Sequence, residues 1–569
     1  MSATAPARLR AVGASWRSRR DERGYAAMLV AVMCPIVFLA CAALSVDTAR
    51  WYVEAERVQS VADAAALAGV VWMPANFETA TTTAVAEARK NGYDNALPGV
   101  VVTVEPSDKP SQLKVTVAST VKNTFGSAIG TPTTTVARSS TADFSGGLSM
   151  GSPCNVFASD PDTAAPVTSA NCSNVGDFWA NVAGPMSNKK AGDAFQAGSG
   201  CSASIDGCTG TTNTDYDPRG HFYTVDFKKA VTNPRVEVFD PALVNVGDQC
   251  ERAVLTGASS LAAANTVVTD PATRYAEASG KYCTGDVAQA PSAVVNATDP
   301  DPLFAGQLNT RFTVYRMDAN SDPGRPWTWP VADAALCPGA KNYRGFNGKL
   351  STALDKTSPG YQPEVAASFR RWVTLCTSSS FPAGTTLAIQ VRTNDPGNEN
   401  TAGHNRFSLR AYSATAAASN ADIAVAAFNK MAIYANVKNG SSRFFLTKVP
   451  SAAAGQTLNV SLFDIGDLGG ATGTITFEAP TESGVTFGNC QAVGVINGPV
   501  ANCQFTASTA FDGKWQSVYI PIPQTYSCAD TSATGCWVKL NYQFPSATNP
   551  TDTTAWKASI DGQPVRLVK

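Results

Sequence analysis

Residues 21–70, DERGYAAMLVAVMCPIVFLACAALSVDTARWYVEAERVQSVADAAALAGV, decide how the rest of the chain is read. The 22 residues from Tyr25 to Val46 carry no charge. At a helical rise of ~1.5 Å per residue they span about 33 Å, the thickness of a hydrocarbon core. Pro35 lies inside the run, which a membrane helix tolerates. From Asp47 to Val70 the composition stays helical but turns polar and alanine-rich, so the expected structure is a membrane helix continued as an exposed stalk. Its small side chains in VADAAALAGV permit close approach of another helix. Arg8, Arg10, Arg17, Arg19, Arg20 and Arg23 precede the run against Asp21 and Glu22 alone. That asymmetry places the amino terminus in the cytoplasm and the bulk of the chain outside the membrane. A signal peptide cleaved near Ala40-Cys41-Ala42 is the competing reading. The length of the run and its unbroken continuation favour an uncleaved anchor.

The order Arg23-Gly24, Pro35, Asp47, Arg50-Trp51-Tyr52, Gln59, Asp63 and Gly69 resembles the amino-terminal signature of TadE/TadG-like proteins of the Flp (Tad) pilus assembly and secretion system. Pseudopilin members carry a glutamate five residues after the glycine, where this chain has Leu29, so the resemblance is to the TadG type. It covers about fifty residues. It implies a non-enzymatic, single-pass envelope protein that works with other Flp/Tad assembly proteins.

The chain has 569 residues, 44% hydrophobic, 9% aromatic and 16% charged, with net charge −1. It can bury large cores, and its charge balance offers nothing to nucleic acid. Of 14 cysteines, Cys34 and Cys41 fall in the apolar run, where cysteine behaves as a small hydrophobe. The remaining cysteines form an even set without a Cys-x-x-Cys, which reads as an extracytoplasmic disulfide framework. Sequence proximity suggests Cys154–Cys172, Cys201–Cys208, Cys250–Cys283, Cys337–Cys376, Cys490–Cys503 and Cys528–Cys536.

Periodicity predicts a second helix over 77–93 and alternating strands over 100–104, 112–121 and 133–142, the outline of a small pilin-like α+β unit. Seven landmarks then recur in one order. FWANV at Phe178 answers IYANV at Ile433, and HFYTVDF at His221 answers RFFLTKV at Arg443. PRVEVFD at Pro234 answers LNVSLFD at Leu458. Arg311–Arg316 answers Thr472–Phe477, and Arg371-Trp372-Val373 answers Lys514-Trp515-Gln516. Leu387–Thr393 answers Trp537–Tyr542, and Arg406–Tyr412 answers Trp556–Asp561. The expected fold is α+β but mostly β. A cytoplasmic tail (1–24) and a single transmembrane helix (25–46) lead into the stalk and pilin-like unit (47–144). A linker (145–177) precedes two tandem antiparallel β-sandwiches, 178–415 and 431–569, with a joint at 416–430.

Two catalytic motifs are missing: HExxH and Gx₄GK[ST] do not occur. His221 and His404 each precede a strand and read as strand-flanking polar residues. Asp318, Asn320 and Asp322 place oxygen ligands at alternate positions of a turn, as Asn213, Asp215 and Asp217 do, so structural calcium is weighed against ordinary turn chemistry. Trp327 and Trp329, if extended, share one side and suit a glycan. Two functions from different classes follow. One is assembly, anchoring or display of a Flp/Tad apparatus; the alternative is a membrane-tethered module whose sandwiches bind polysaccharide or cell wall.

Overall fold

The computed structural model describes residues 20–73, 77–107, 112–144, 147–160, 178–198, 200–244, 284–287, 303–304, 307–318, 321, 324–348, 350–395, 401–436, 440–466, 472–529, 535–544, 551–560 and 565–568. Helix α1 runs without interruption from Arg20–Val70 and holds Pro35. Its two halves differ. Between Tyr25 and Val46 the large apolar side chains stand in the open, Tyr25, Met28 and Phe38 about 70% exposed or more. From Asp47 onward one stripe is buried, comprising Ala55, Val58, Ala62, Ala65, Ala66 and Val70 at three- and four-residue spacing.

That stripe packs on a small sheet and a second helix. Helix α2 (Phe77–Lys90) turns Ala80, Ala84 and Ala88 inward. It ends where Asn91 and Gly92 follow, Gly92 at φ +90°, the left-handed turn that glycine supplies. Strands β1 (Val100–Pro106), β2 (Gln112–Lys122) and β3 (Thr133–Phe144) form an antiparallel meander. Leu113, Val115 and Val117 alternate toward α1. The expected exposed stalk is therefore not found. Its alanines are small where sheet and helix press against them within the chain.

The fourth strand of this sheet comes from the far end of the sequence. Val565–Leu567 pairs antiparallel with Ala142–Phe144 of β3, and Val568 N–H donates to Thr141 O at 2.8 Å. The stretch 431–569 is thus not one sandwich, since its last strand completes the amino-terminal unit.

All seven landmark pairs fall on strands, and the neighbour order agrees in both repeats. One sheet runs Trp372–Thr377, Pro234–Phe239, His404–Ser413, Phe178–Ala183, then Lys430–Asn436, Thr551–Ile560, Thr457–Phe463, Trp515–Pro521. The second half is the first in reverse. The other sheet mirrors in the same way: Thr310–Arg316, Thr385–Arg392 and His221–Phe227 answer Gly473–Glu478, Trp537–Gln543 and Ser441–Lys448. At the seam FWANV pairs with IYANV, Tyr434 opposite Trp179 and Ile433 opposite Ala180.

This overturns the expectation of two independent sandwiches. Both sheets cross the seam, and one core holds Tyr223, Phe312 and Phe407 together with Phe444, Tyr542 and Trp556. Phe178 meets Phe444 edge-on across the two repeats, centroids 6.0 Å apart. The expected joint and linker are structural too. Ile423–Phe428 is a strand between His221–Phe227 and Ser149–Gly151, and the latter pairs onward with Ser441–Lys448. Alanine-rich composition and a turn-rich neighbourhood hid them, because a strand covered on both faces needs no alternation.

The shared core predicts a single unfolding event for the sandwich. Calorimetry of the full chain should show the two repeats melting together, and 178–415 expressed alone should aggregate through its bared seam edge. Two resolved transitions, one per repeat, would contradict a fused sandwich.

Candidate anchor and assembly site

The residues that carry the amino-terminal signature converge where the bare half of α1 meets the folded unit. Asp47, 2% exposed, turns its carboxylate into the β2–β3 loop. Thr124 N–H donates to Oδ1 at 2.8 Å, and Phe125 and Gly126 N–H donate to Oδ2 at 3.0 and 2.8 Å. One turn on, Arg50 donates to Thr124 Oγ1, and Trp51 Nε1 donates to Asn123 Oδ1 at 2.8 Å. Asn123 in turn donates to Thr131 O and Thr134 Oγ1. Three helix residues thus hold four consecutive loop residues. Desolvation pushes the Asp47 carboxyl up, but the amides of Gly126, Thr124 and Phe125, with Arg50, outweigh it and hold the group below the usual carboxylate range. Farther up, Tyr93 donates to Glu54 Oε1 at 3.0 Å, and burial with this carboxylate pushes the phenol up to about 12.

The other signature residues have traceable work. Gln59 donates to Asp63 Oδ1 at 2.8 Å along the helix. Gly69 lies where α2 and β2 come closest. A Cβ there would stand 2.7 Å from Ala80 O and from Leu113 Cδ2, and 2.9 Å from Ala84 Cβ. Gly24 has open space around it, and Pro35 lies exposed in the apolar half; the side chain of Arg23 lies outside the described residues. Counted over the described residues, no helix is long and apolar enough to cross a membrane.

The calcium candidates do not form sites among the described residues. Asn320 and Asp322 lie outside them, and Asp318 accepts from Ser321 Oγ at 2.8 Å. In the other turn the carboxylates diverge. Asp215 takes Lys189 Nζ at 2.7 Å and Trp515 Nε1 at 2.9 Å, while Asp217 is shared by Arg219 and Lys430. Asp240 and Asp464, which end matching strands, are turn locks. Both adopt positive φ, +51° and +59°, and their N–H groups donate to Arg371 O and Lys514 O at 3.0 Å. Their Oδ1 atoms accept from Arg370 N–H and Gly513 N–H. No group of three His, Cys, Asp or Glu side chains gathers among the described residues.

The Trp327/Trp329 face is not formed. Residues 326–328 are a short 3-10 turn, Trp329 is buried, and Trp327 is capped by the Arg219 guanidinium 4.2 Å from its ring. Both histidines are interior. His221 Nε2 faces Asp193 Oδ2 at 3.4 Å, and His404 Nδ1 faces Asn181 Oδ1 at 3.2 Å. Burial, with Arg406 nearby, pulls His404 down to about 4, so it is neutral at ordinary pH. Disulfides join Cys201–Cys208, Cys337–Cys376, Cys490–Cys503 and Cys528–Cys536. Cys154 is disulfide-bonded as well; Cys172, Cys250 and Cys283 lie outside the described residues.

The Tad family (TadE/G-like Flp pilus assembly) matches residues 24–75, the bare half of α1 with its clamp and packed half. No curated protein and no solved structure matches the chain.

Two outcomes test these assignments. Asp47→Ala leaves three loop amides without their acceptor, so exchange at Thr124, Phe125 and Gly126 should quicken by about tenfold or more. In the wild type, a carboxylate whose folded pKa is depressed stabilises above its ordinary value of 3.8, and that contribution should vanish as pH falls through the lower folded value. Unchanged exchange in Asp47→Ala would remove the clamp. Gly69→Ala and Ala65→Leu overfill a closed contact and should each cost about 1–3 kcal/mol in chemical unfolding; no loss in either would mean that α1 is loosely seated.

Proposed function

We propose that this chain is a non-enzymatic, single-pass envelope protein of a Flp/Tad pilus or secretion apparatus. Residues 25–46 cross the membrane, the amino terminus faces the cytoplasm, and the sandwich stands outside. One observation carries the reading: the family match covers α1 where it leaves a folded head with its apolar side chains bare. A helix that is apolar all round and unpacked requires lipid or other helices. Asp47 marks the border, since its carboxylate is the first charge after the run and its hydrogen bonds are already supplied by loop amides. The disulfides favour an oxidising compartment for everything beyond it. The small unit would be the part that meets other pilus-assembly proteins near the membrane, and the sandwich the part that reaches outward.

The reading is tested by topology and by partnership. A reporter active only outside the cytoplasm should work when fused after Gly151 and fail after Arg20. Deleting 25–46 should release the protein from membranes and abolish its co-purification with pilus-assembly proteins. A released protein that keeps those partners, or a mature chain beginning after Ala42, would refute the anchored reading; one beginning at Tyr25 would refute only an uncleaved amino terminus.

A further inference from the structure

The outer face of the second repeat holds a cavity of about 370 Å³, within the range of small-molecule sites. Cross-strand pairing builds its wall. Lys430 lies opposite Lys557, Lys557 opposite Ser461, and Ser461 opposite Ser517; one step along, Ser559, Asn459 and Tyr519 make the parallel row. Phe195 and Asn429 flank it, and no carboxylate among the described residues lines it. Two lysines directly opposite repel. Lys430 is answered by Asp217 at 2.6 Å. Lys557 is exposed, rests 4.4 Å over the Trp515 ring, and makes no ion pair with a described residue.

The internal symmetry identifies what this site lacks. In the first repeat Glu237 lies opposite Arg410, as Ser461 lies opposite Lys557 in the second. Arg410 sits 4.0 Å over Trp372, as Lys557 sits over Trp515. The Glu237 carboxylate is 2.7 Å from Arg410 and accepts from Tyr412 Oη at 3.2 Å. Ser461 offers only a hydroxyl, 2.9 Å from Ser517 Oγ. The second repeat thus keeps the cation and its aromatic support and has lost the carboxylate.

We propose that an acidic oligosaccharide binds this face, a uronate carboxylate taking on Lys557 the place that Glu237 holds on Arg410. Asn459, Ser461 and Ser559 supply hydrogen bonds to ring hydroxyls, and Tyr519, 39% exposed, offers a ring to a sugar face. One unpaired ammonium among neutral amides and hydroxyls suits a ligand with one carboxylate for several hydroxyls. An acidic peptide would bring carboxylates without the hydroxyls that Asn459, Ser461 and Ser559 answer, and Lys430, the other cation among the described residues lining the cavity, is already paired. The site is independent of the pilus reading and stands whether or not the chain serves that apparatus.

The test uses the full chain in detergent micelles, titrated with trigalacturonate, its carboxyl-reduced neutral counterpart and triglutamate. Trigalacturonate should bind saturably at millimolar concentration or below, and the other two at least about tenfold more weakly. Lys557→Gln should weaken trigalacturonate binding by about tenfold. Ser461→Glu should abolish it while holding or raising the melting temperature, because it restores the ion pair of the first repeat. Absent saturable binding, equal binding of the neutral sugar or of triglutamate, or an unchanged affinity in Ser461→Glu would each overturn the proposal.

Discussion

Backbone pairing between Phe178–Ala183 and Lys430–Asn436 is the constraint from which the large domain follows. Each repeat alone would end in an open strand edge, with a row of unpaired amides and carbonyls. Pairing the two edges against each other removes both and brings the interiors of the repeats into one volume. The second sheet must then also bridge the seam, and no landmark strand remains to do it. Ser149–Gly151 and Ile423–Phe428 fill that gap, so stretches that read as connectors are recruited as strands. Asn429 turns the chain from one sheet to the other at φ +64°, and its side chain accepts from Leu148 N–H at 2.7 Å. The bridging strands and the corner between the sheets are thus tied to each other as well as to the repeats.

The small unit is organised by a different economy. A helix that leaves the fold as a bare apolar rod exerts leverage on whatever holds its base. Asp47, Arg50 and Trp51 bind the β2–β3 loop at that base, and the alanine stripe allows β2, β3 and α2 to seat against the next turns. The chain passes from this unit into the sandwich after Phe144 and returns at Val565 to pair with β3. The sandwich is therefore connected, through two chain crossings, to the end of the sheet away from the Asp47 clamp, where Leu113 meets Gly69 of α1, with the second crossing locked by sheet hydrogen bonds.

Strand positions were legible in the sequence because period-two patterning and turn residues are local. The partners were not. Period two says which residues share a face and nothing about which strand lies alongside. Phe178–Ala183 is buried at every position, so it shows no alternation that could have marked a seam. The signature residues were legible as a set, but their roles depend on acceptors and donors more than seventy residues away: Asp47 with Thr124, Trp51 with Asn123. The turn-forming run Asn123-Thr124-Phe125-Gly126 was the available signal, and it specifies a turn without naming what the turn would grasp. Small residues in α1 were compatible with a helix neighbour and with a sheet, and only the fold chooses between them.

Repetition also separates what the fold requires from what it permits. The left-handed aspartate that ends one strand, the backbone bond it makes to the residue before a tryptophan, and a cation over that tryptophan occur in both repeats. These belong to the strand corner itself. The carboxylate opposite the cation occurs in one repeat only, and the insertion that brings Asp206 and Asp215 onto Trp515 likewise serves one repeat. Where a packing rule is obeyed twice and a neighbouring charge is kept once, the sandwich does not need that charge in order to fold. Its absence on the second face leaves Lys557 available to something outside the chain.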